Sequence, residues 1–370
     1  MRPADGLGMT PLERYQADVA QGGFHNDAGQ QQAVGRLQGL YNSLVCPVVT
    51  TPAWLRLFSK KTPPLRGLYL WGGPGRGKTY LMDCFYESLP EATGRRVHFH
   101  RYMLEVHEAL DGLTRITDPL DVVAGQQASQ CRVLCLDEFH VTDVADAMLL
   151  TGLLTGLFRR GVVLVATSNT APDALYPDGL QRQRFLPAID QLKTHCQVFE
   201  LNGKQDFRLE HLQHGSIYQI ISGRPARDWL NTRLRDLAPL SGKHGKTRLS
   251  LAGRSLAVRA LAGDIVWVEF AELCEQPHSV RDYLELAREF HTLLLEAVPL
   301  MTEEQDEAAR RFIHLVDALY DHNVNLVVTA AAPPEQLYTG HRLQDAFART
   351  ASRLIEMSGQ AYLAKPHRSD

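Results

Sequence analysis

The residues with the most defined chemical role form a glycine-rich run that ends in lysine and threonine. Residues 72–79 read Gly-Gly-Pro-Gly-Arg-Gly-Lys-Thr and match the phosphate-loop pattern G-x-x-x-x-G-K-[ST]. Glycines let successive backbone N–H groups point into one concave surface, which binds an anion. Lys78 is expected to reach the β- and γ-phosphates of a nucleotide, and the Thr79 hydroxyl to ligate magnesium. The run therefore predicts a nucleoside triphosphate site.

The segments on both sides of this run agree with that interpretation. Residues 68–71 are apolar, as in a short buried strand, and a helix is expected from about Lys78. The N-terminus of that helix adds a partial positive charge to the phosphate site. We assign nucleotide binding to nine consecutive residues: Gly72, Gly73, Pro74, Gly75, Arg76, Gly77, Lys78, Thr79 and Tyr80.

Two adjacent carboxylates follow an apolar segment further along the chain. Residues 132–138 read Arg-Val-Leu-Cys-Leu-Asp-Glu, which is typical of a buried parallel strand with acids at its carboxyl end, where ligands bind in open α/β sheets. Asp137 is expected to hold magnesium directly or through water, and Glu138 to activate the attacking water as general base. Such a strand is a weak signal alone, but in a chain with a phosphate loop it indicates hydrolysis.

A second apolar strand, at residues 162–169, ends in Ser-Asn. Asn169 is placed to orient water against the γ-phosphate, with Ser168 as the alternative. Arg182 and Arg184 follow this strand, where an arginine can act on the γ-phosphate bound by a neighbouring subunit. An exposed basic turn is the competing interpretation for this pair. Residues 196–201 are expected to form the last strand of the core.

Taken together, the order of these segments matches an AAA+ ATPase core, an α/β fold of the P-loop NTPase class. Three further segments resemble the ZapE cell-division ATPases, a family that includes mitochondrial AFG-like ATPases. They read Asp-Glu-Phe-His-Val-Thr-Asp-Val-Ala-Asp-Ala-Met at 137–148, Gly-Leu-Gln-Arg-Gln-Arg-Phe-Leu-Pro-Ala-Ile at 179–189 and Phe-Ala-Arg-Thr-Ala-Ser-Arg-Leu-Ile-Glu-Met at 347–357. The likeness runs from Arg14 to Tyr362.

The resemblance implies a cytoplasmic, magnesium-dependent ATP hydrolase that acts on the bacterial division protein FtsZ. ATP rather than GTP rests on the resemblance, because no guanine-reading motif is visible. The roles of the acids and arginines carry over, since the matching positions are filled. The division role is less firmly implied, because the organellar branch of the family does other work. An arginine acting in trans requires self-association, so we expect a homo-oligomer.

Composition describes an ordinary globular protein. The 370 residues suffice for two or three domains. Hydrophobic residues make up 44% of the chain and charged residues 22%. The net charge of −3 shows no overall excess of basic residues that would indicate nucleic-acid binding. The six cysteines contain no C-x-x-C pair, which argues against zinc and disulfides and fits a reducing cytoplasm. No apolar run has the length of a membrane span, and the N-terminus lacks a signal-peptide core, so no membrane insertion is expected.

The region before the phosphate loop is expected to contain two helices within residues 10–45, with Thr10 and Asp27 as N-caps. The second helix either packs against the core or leans over the adenine base. After the phosphate-loop helix, residues 96–102 alternate as in a strand, which would place His98 and His100 on one face. Metal binding by these histidines lacks a third ligand, and an exposed polar face is the simpler interpretation.

We divide the chain into an N-terminal helical segment (1–62), the ATPase core (63–202), a second α+β region (203–340) and a C-terminal helical segment (341–370). Residues 247–270 predict a three-stranded meander, and the Gly-Lys-Thr at 245–247 lacks the flanking elements of a phosphate loop.

Residues 290–340 repeat the order strand, helix, strand of the core. They indicate a degenerate, non-catalytic repeat, although common α/β patterns would look similar. Arg349 and Arg353 share one helix face, suited either to a cis phosphate sensor or to surface salt bridges.

Three functions are compatible with these features. The first is an ATPase that remodels a protein partner. The second is a nucleotide-gated adaptor that binds its partner without remodelling it, and the third is a DNA-acting ATPase. Glu138 and the arginine pair favour real turnover, while the net charge and the lack of a recognisable DNA-binding segment argue against DNA.

Overall fold

The computed structural model describes residues 8–20, 27–45, 65–73, 75–113, 116–202, 216–237, 247–251 and 254–368. The chain divides into two compact units, Met1–Gln205 and Asp206–Asp370. The C-terminal helical segment therefore belongs to the same unit as the second α+β region. Pro74, the residues 46–64 between α2 and β1 and the Gly-Lys pair at 245–246 lie outside the described residues.

The first unit is built on a parallel five-stranded sheet with the order β2-β3-β4-β1-β5. Its strands are β1 (Gly67–Trp71), β2 (Gly94–His98), β3 (Val133–Asp137), β4 (Val163–Ser168) and β5 (Cys196–Glu200). Its described helices are α1 (Pro11–Ala20), α2 (Ala28–Val45), α3 (Lys78–Tyr86), α4 (Phe99–Asp111), α5 (Pro119–Gln130), α6 (Val144–Arg159) and α7 (Arg182–His195). The strand order and the phosphate loop after β1, which lies between β4 and β5, confirm the predicted AAA+ fold class.

The central strands β3 and β4 are buried along their whole length. This explains why both read as continuous apolar runs, since helices cover the two faces of a parallel sheet. Their carboxyl ends carry Asp137 and Ser168, and β1 pairs in parallel register with β4, Trp71 lying beside Ser168. The phosphate loop and the acidic strand end therefore lie at the same edge of the sheet.

Both predicted N-caps of the N-terminal helices are confirmed. The Glu13 N–H donates to Thr10 Oγ1 (3.3 Å), and the Gln30 N–H donates to Asp27 Oδ1 (2.9 Å). The apolar residues Ala33, Leu37, Leu40 and Leu44 of α2 are buried. This burial is what holds α2 in place, because few isolated helices are stable in water.

The prediction of one strand through residues 96–102 was wrong. Strand β2 ends at His98, and α4 begins at the next residue, Phe99. Residues Phe99, Tyr102, Met103 and Val106 are buried at helical spacing, and this apolar face overrides the short alternation. His98 and His100 therefore do not lie on one strand face.

The second unit contains a five-stranded sheet with the order β6-β12-β11-β10-β9, in which only β9 is antiparallel to its neighbour. Its described strands are β6 (Tyr218–Ile220), β7 (Thr247–Leu251), β8 (Arg254–Val258), β9 (Ala260–Ala262), β10 (Ile265–Glu269), β11 (Thr292–Val298) and β12 (Asn325–Ala330). Its described helices are α8 (Arg224–Leu237), α9 (Val280–Glu289), α10 (Asp306–Asp321), α11 (Gln344–Met357) and α12 (Gln360–Leu363).

The predicted three-stranded meander was also wrong, because this segment forms two hairpins in different sheets. Strands β7 and β8 pair with each other, and β9 pairs with β10 in the large sheet. The chain changes sheet at Arg259, whose N–H donates to Trp267 O (2.7 Å) and whose guanidinium pairs with Glu269. These contacts fix the end of β8 to the large sheet.

The order strand, helix, strand expected within residues 290–340 is confirmed, and its two strands pair in parallel. Leu293, Leu294 and Leu295 of β11 lie in register with Leu326, Val327 and Val328 of β12, and all six are buried. The similarity extends beyond residues 290–340. The order β6-β12-β11-β10 repeats the order β1-β4-β3-β2 of the first sheet, with the crossovers taken in the same sequence order.

Candidate nucleotide site

The phosphate loop has glycines where any other residue would clash or be strained. A Cβ at Gly72 would lie 2.6 Å from the backbone oxygen of Leu201. Gly77 has a φ of 84° at the N-cap of α3, a conformation that glycine adopts without steric cost. The backbone therefore turns directly from the end of β1 into the first turn of α3.

Lys78 lies inside the loop that it closes. Its ammonium donates to Gly72 O (2.8 Å) and Gly73 O (2.7 Å), and the side chain is buried. Lysine at this position thus points along the concave side of the loop, where phosphate oxygens would replace the carbonyls as partners.

Helix α2 contacts the loop through Gln30, which the sequence did not single out. Its Nε2 donates to Arg76 O (3.0 Å), and a Cβ at Gly77 would meet the same nitrogen at 2.6 Å. Gln30 is fully buried. Helix α2 is therefore a packing helix that also braces the phosphate loop, and its contact with adenine stays a prediction.

Asp137 has partners on both carboxylate oxygens. Arg96 Nε donates to Oδ2 (2.6 Å), and Thr167 Oγ1 donates to Oδ1 (3.1 Å). The guanidinium of Arg96 also pairs with Asp83, on the helix that follows the loop. Asp137 is therefore a fixed carboxylate at the end of β3, 2% exposed. None of its three supporting residues had a sequence signal of its own.

Glu138 is set apart from its strand by an unusual backbone conformation. Its φ is 52°, and its N–H donates to Thr167 Oγ1 (3.1 Å). A positive φ outside glycine is uncommon and persists where surrounding contacts impose it, often at functional sites. The turn ends the strand one residue after Asp137 and places Glu138, half-buried, at the carboxyl edge of the sheet.

Asn169 and Ser168 differ in their availability for a water. Asn169 follows the last residue of β4 and is exposed. Ser168 is buried, its hydroxyl donates to Phe139 O (2.7 Å) and it accepts the N–H of Thr170 (3.1 Å). These bonds make Ser168 part of the strand-end structure, so Asn169 is the better placed of the two to meet a ligand.

The comparison with known proteins agrees with this geometry. Residues 9–366 match the AFG1-like ATPase family. The chain belongs to that family. It is 42% identical to "Cell division protein ZapE" of Escherichia coli K12, covering 97% of this chain and 98% of that protein. It is also 36% identical to "Lactation elevated protein 1 homolog B" of Danio rerio, covering 84% and 71% respectively.

Among solved structures, the replication initiator DnaA bound to AMPPCP and single-stranded DNA shares 13% identity at a TM-score of 0.36, covering 52% of each chain. Similarity at that level adds nothing to the assignment. Family membership, the phosphate loop and the Asp137-Glu138 strand end together make the chain an AAA+ ATP hydrolase.

The two predicted finger arginines differ in this AFG1-like ATPase. Arg182 donates to Tyr176 O (3.0 Å) and Asp173 O (2.8 Å), so its guanidinium closes the loop before α7. Arg184 is exposed, and no partner binds its guanidinium within the described residues. Of the pair, Arg184 is the residue that can extend to another molecule.

The arginines of the C-terminal helix are engaged in ion pairs within the second unit. Arg349 Nη2 lies 3.1 Å from Asp317 Oδ2, and Arg353 pairs with the other oxygen of the same carboxylate. The Arg353 guanidinium also lies over the Tyr320 ring at 4.7 Å. The salt bridges that were the alternative interpretation of these arginines are therefore present, and their role as a cis phosphate sensor stays a prediction.

The donor set at the loop fits magnesium. The cation prefers hard oxygen ligands and keeps several waters, which a threonine hydroxyl, a carboxylate and phosphate oxygens supply together. Thr79 in the first turn of α3 and Asp137 at the end of β3 are such donors. Among the described residues, no group of three or more His, Cys, Asp or Glu side chains is arranged to hold a metal.

The thiols offer no alternative chemistry at this site. The five cysteines in the described ranges are free and buried. Burial raises the pKa of the Cys84 thiol, next to Asp83 on α3, to about 12, so it is not a nucleophile at neutral pH.

No helix among the described residues is long and apolar enough to cross a lipid bilayer.

Proposed function

We propose that this chain is a magnesium-dependent ATPase that uses ATP hydrolysis to act on a protein partner in the cytoplasm, and that the partner is the division protein FtsZ. The observation that carries the proposal is Glu138, held by a positive φ and by Thr167 at the edge of the sheet that also holds the phosphate loop. A carboxylate in that position can act as the general base that hydrolysis requires. The name of its Escherichia coli relative supports a role in division.

In this proposal the loop residues bind and orient the triphosphate. Backbone N–H groups of the loop and the N-terminus of α3 receive the phosphates. Lys78 exchanges its carbonyl partners for β- and γ-phosphate oxygens, while Thr79 and Asp137 hold magnesium. The bound cation offsets the negative charge that develops on the transferred phosphoryl group.

Glu138 and Asn169 act on the water. Glu138 accepts its proton as the oxygen approaches the γ-phosphorus, and Asn169 donates from its amide to keep the water in line. Both follow the ends of adjacent strands, β3 and β4, whose register places Leu136 beside Ala166. One water is therefore within the expected reach of both side chains.

The proposal includes a homo-oligomer, because an arginine that acts in trans needs a neighbouring subunit. Arg184 extends from the start of α7 and is suited to a γ-phosphate bound by a neighbouring subunit. The role of Arg349 and Arg353 as cis sensors is part of the same proposal. It requires their pairs with Asp317 to open when nucleotide binds.

Phosphate release, measured against protein concentration with and without polymerised FtsZ, tests the proposal. We expect magnesium-dependent hydrolysis, specific activity that rises as subunits associate, and stimulation by polymerised FtsZ. Glu138→Gln serves as the background control. FtsZ binding without turnover in the wild type would indicate a nucleotide-gated adaptor, and stimulation by DNA alone would indicate a DNA-acting ATPase. Turnover that does not change when FtsZ is added would reject FtsZ as the partner, and the ATPase assignment would stand.

A further inference from the structure

Three charged side chains are paired with one another beside the phosphate loop. Arg96 of β2 lies between Asp137 at the end of β3 and Asp83 of α3, and pairs with both. Asp137 and Asp83 are buried, and Arg96 is 18% exposed. Burial alone would lower the pKa of the Arg96 guanidinium, but the charges of Asp137 and Asp83 outweigh it and raise that pKa. The group therefore contains one permanent positive and two negative charges.

The position of Asp83 relative to the loop makes this group relevant to metal binding. Asp83 lies four residues after Thr79 on α3, which places both side chains on one helix face. Asp137 and Thr79 are the two magnesium ligands of the proposed function. Without Arg96, two buried carboxylates next to the magnesium position would each lose the guanidinium that pairs with them.

We propose that Arg96 is a positioning residue that makes metal binding conditional on nucleotide. Its guanidinium offsets one of the two carboxylate charges, so that the protein alone holds a divalent cation poorly. The triphosphate supplies the missing negative charge, and the cation then binds with it. The same contact orients Asp137, because Nε holds Oδ2 while Thr167 holds Oδ1.

This inference rests on the proposed magnesium-dependent ATPase, but it is tested without turnover. The measurement is Mn²⁺ binding to the nucleotide-free protein, followed by electron paramagnetic resonance, with Mn²⁺ standing in for Mg²⁺. Arg96→Gln should bind Mn²⁺ about tenfold tighter or more than the wild type, because a charge close to the cation is lost in a poorly solvated site. In the presence of ATP the difference between the two proteins should shrink.

A charge-balanced variant separates this role from simple loss of structure. Arg96→Gln combined with Asp83→Asn carries the same net local charge as the wild type, and should return nucleotide-free Mn²⁺ binding to the wild-type level. Arg95→Gln is the matched control, since Arg95 adjoins Arg96 on β2 but pairs with Glu105. Its Mn²⁺ binding should not change. Thermal unfolding of each variant establishes that the folded protein is being compared.

The outcomes are distinct. Unchanged Mn²⁺ affinity in folded Arg96→Gln, or equal affinities in the single and double variants, would overturn the proposal. In activity assays, Arg96→Gln should need less Mg²⁺ for half-maximal rate and have a lower kcat, since Asp137 loses its orientation. Failure of the wild type to hydrolyse ATP would reject the proposed function, and the Mn²⁺ titration would still decide the role of Arg96.

Discussion

Glu138 and Ala297 have the same backbone setting in two different sheets. Each follows an acid near the end of a buried parallel strand, and each has a positive φ, 52° and 62°. Each donates its N–H to a threonine Oγ1 near the end of the neighbouring strand, Thr167 at 3.1 Å and Thr329 at 3.0 Å. Agreement at this level of detail goes beyond a shared α/β pattern, because positive φ outside glycine is uncommon.

The repeat includes the strand that carries the phosphate loop in the first unit. Strand β6 lies beside β12 as β1 lies beside β4, and each is followed by a glycine with positive φ just before a helix. Six residues, 72–77, separate β1 from α3, but only three, 221–223, separate β6 from α8. The second unit therefore has the sheet of a P-loop core and has no room for the loop.

The acid of the second unit is neutralised from inside the protein. Glu296, which corresponds to Asp137, is buried and lies in ion-pair distance of Arg227 from α8 and Arg259. The general base is replaced by Ala297, and Asn169 by Ala331. These replacements agree with a non-catalytic repeat.

Thr167→Val and Thr329→Val should separate the structural and catalytic parts of this shared arrangement. Each change removes the acceptor of one partly buried N–H and should lower the free energy of unfolding by about 0.5–1.5 kcal/mol, the net worth of a typical hydrogen bond. Only Thr167→Val also frees Asp137 Oδ1, so only it should lower kcat in the folded protein. Urea unfolding and steady-state hydrolysis test both statements. An equal loss of kcat in folded Thr329→Val would contradict the assignment of Asp137 and Thr167.

Lys78→Ala and Glu138→Gln should fail at different steps. Lys78 contacts phosphate, so Lys78→Ala should abolish triphosphate binding, because the three residues between β6 and α8 leave no room for a second loop there. Glu138 handles only water, so Glu138→Gln should retain ATP and lose turnover by on the order of 10²–10⁴. Equilibrium binding of a fluorescent ATP analogue, with a stoichiometry of one per wild-type chain, and phosphate release are the measurements. Comparable hydrolysis in Glu138→Gln and wild type would reject Glu138 as the base.

The part of the site that could be predicted from the sequence consists of short runs of consecutive residues. The phosphate loop, Asp137-Glu138 and the end of β4 each follow a strand directly, so a local pattern was sufficient to identify them. Arg96 pairs with Asp83 and Gln30 binds the Arg76 carbonyl, and each of these contacts joins separate elements that meet only in the folded chain. The alternation in this segment indicated His98 and His100 as candidate site residues and gave no signal for Arg96.

Errors in the fold prediction had a related cause. Residues 99–106 carry a helical apolar face that overlaps the two-residue alternation around His98, and the longer pattern determined the structure. In the second half, the alternation located strands within residues 247–270, but it predicted three where the structure has four, β7 to β10. Which sheet each strand joins depends on long-range contacts such as the pairing of Arg259 with Glu269, and these contacts have no local signature.

Gly72→Ala and Gly39→Ala should have opposite effects on stability. A Cβ at Gly72 would lie 2.6 Å from a backbone oxygen that cannot move away without shifting the chain, whereas nothing lies within 4 Å of a Cβ at Gly39, on the exposed side of α2. Gly39→Ala should raise the free energy of unfolding by about 0.5–1 kcal/mol, because alanine favours the helix. Gly72→Ala should lower it and weaken ATP binding. Chemical unfolding with and without ATP distinguishes the two, and a Gly72→Ala protein with normal ATP affinity would contradict the close approach.

Arg182→Ala and Arg184→Ala should also differ, although the residues are two positions apart. Arg182 closes the loop before α7 through Tyr176 O and Asp173 O, so its loss should mainly reduce thermal stability. Arg184 is the proposed trans finger, and its loss should lower kcat by on the order of 10³ while ATP affinity stays largely intact. Equal kcat losses in the two folded variants would assign the finger role to neither residue alone.

Mixing subunits tests whether Arg184 acts across a boundary. In a mixture of Arg184→Ala and Lys78→Ala, the first supplies an intact pocket and the second an intact arginine. Each variant alone should be nearly inactive, while mixed oligomers should regain part of the wild-type rate, because some pockets then face an intact Arg184. The fraction regained should follow the mixing ratio and disappear on dilution to monomers. A double variant carrying both changes on one chain is the control, since it supplies neither part when mixed with Lys78→Ala. No rescue in well-mixed oligomers, or full wild-type activity in the monomer, would reject the trans role of Arg184. The residue would then be an exposed basic side chain without a catalytic role.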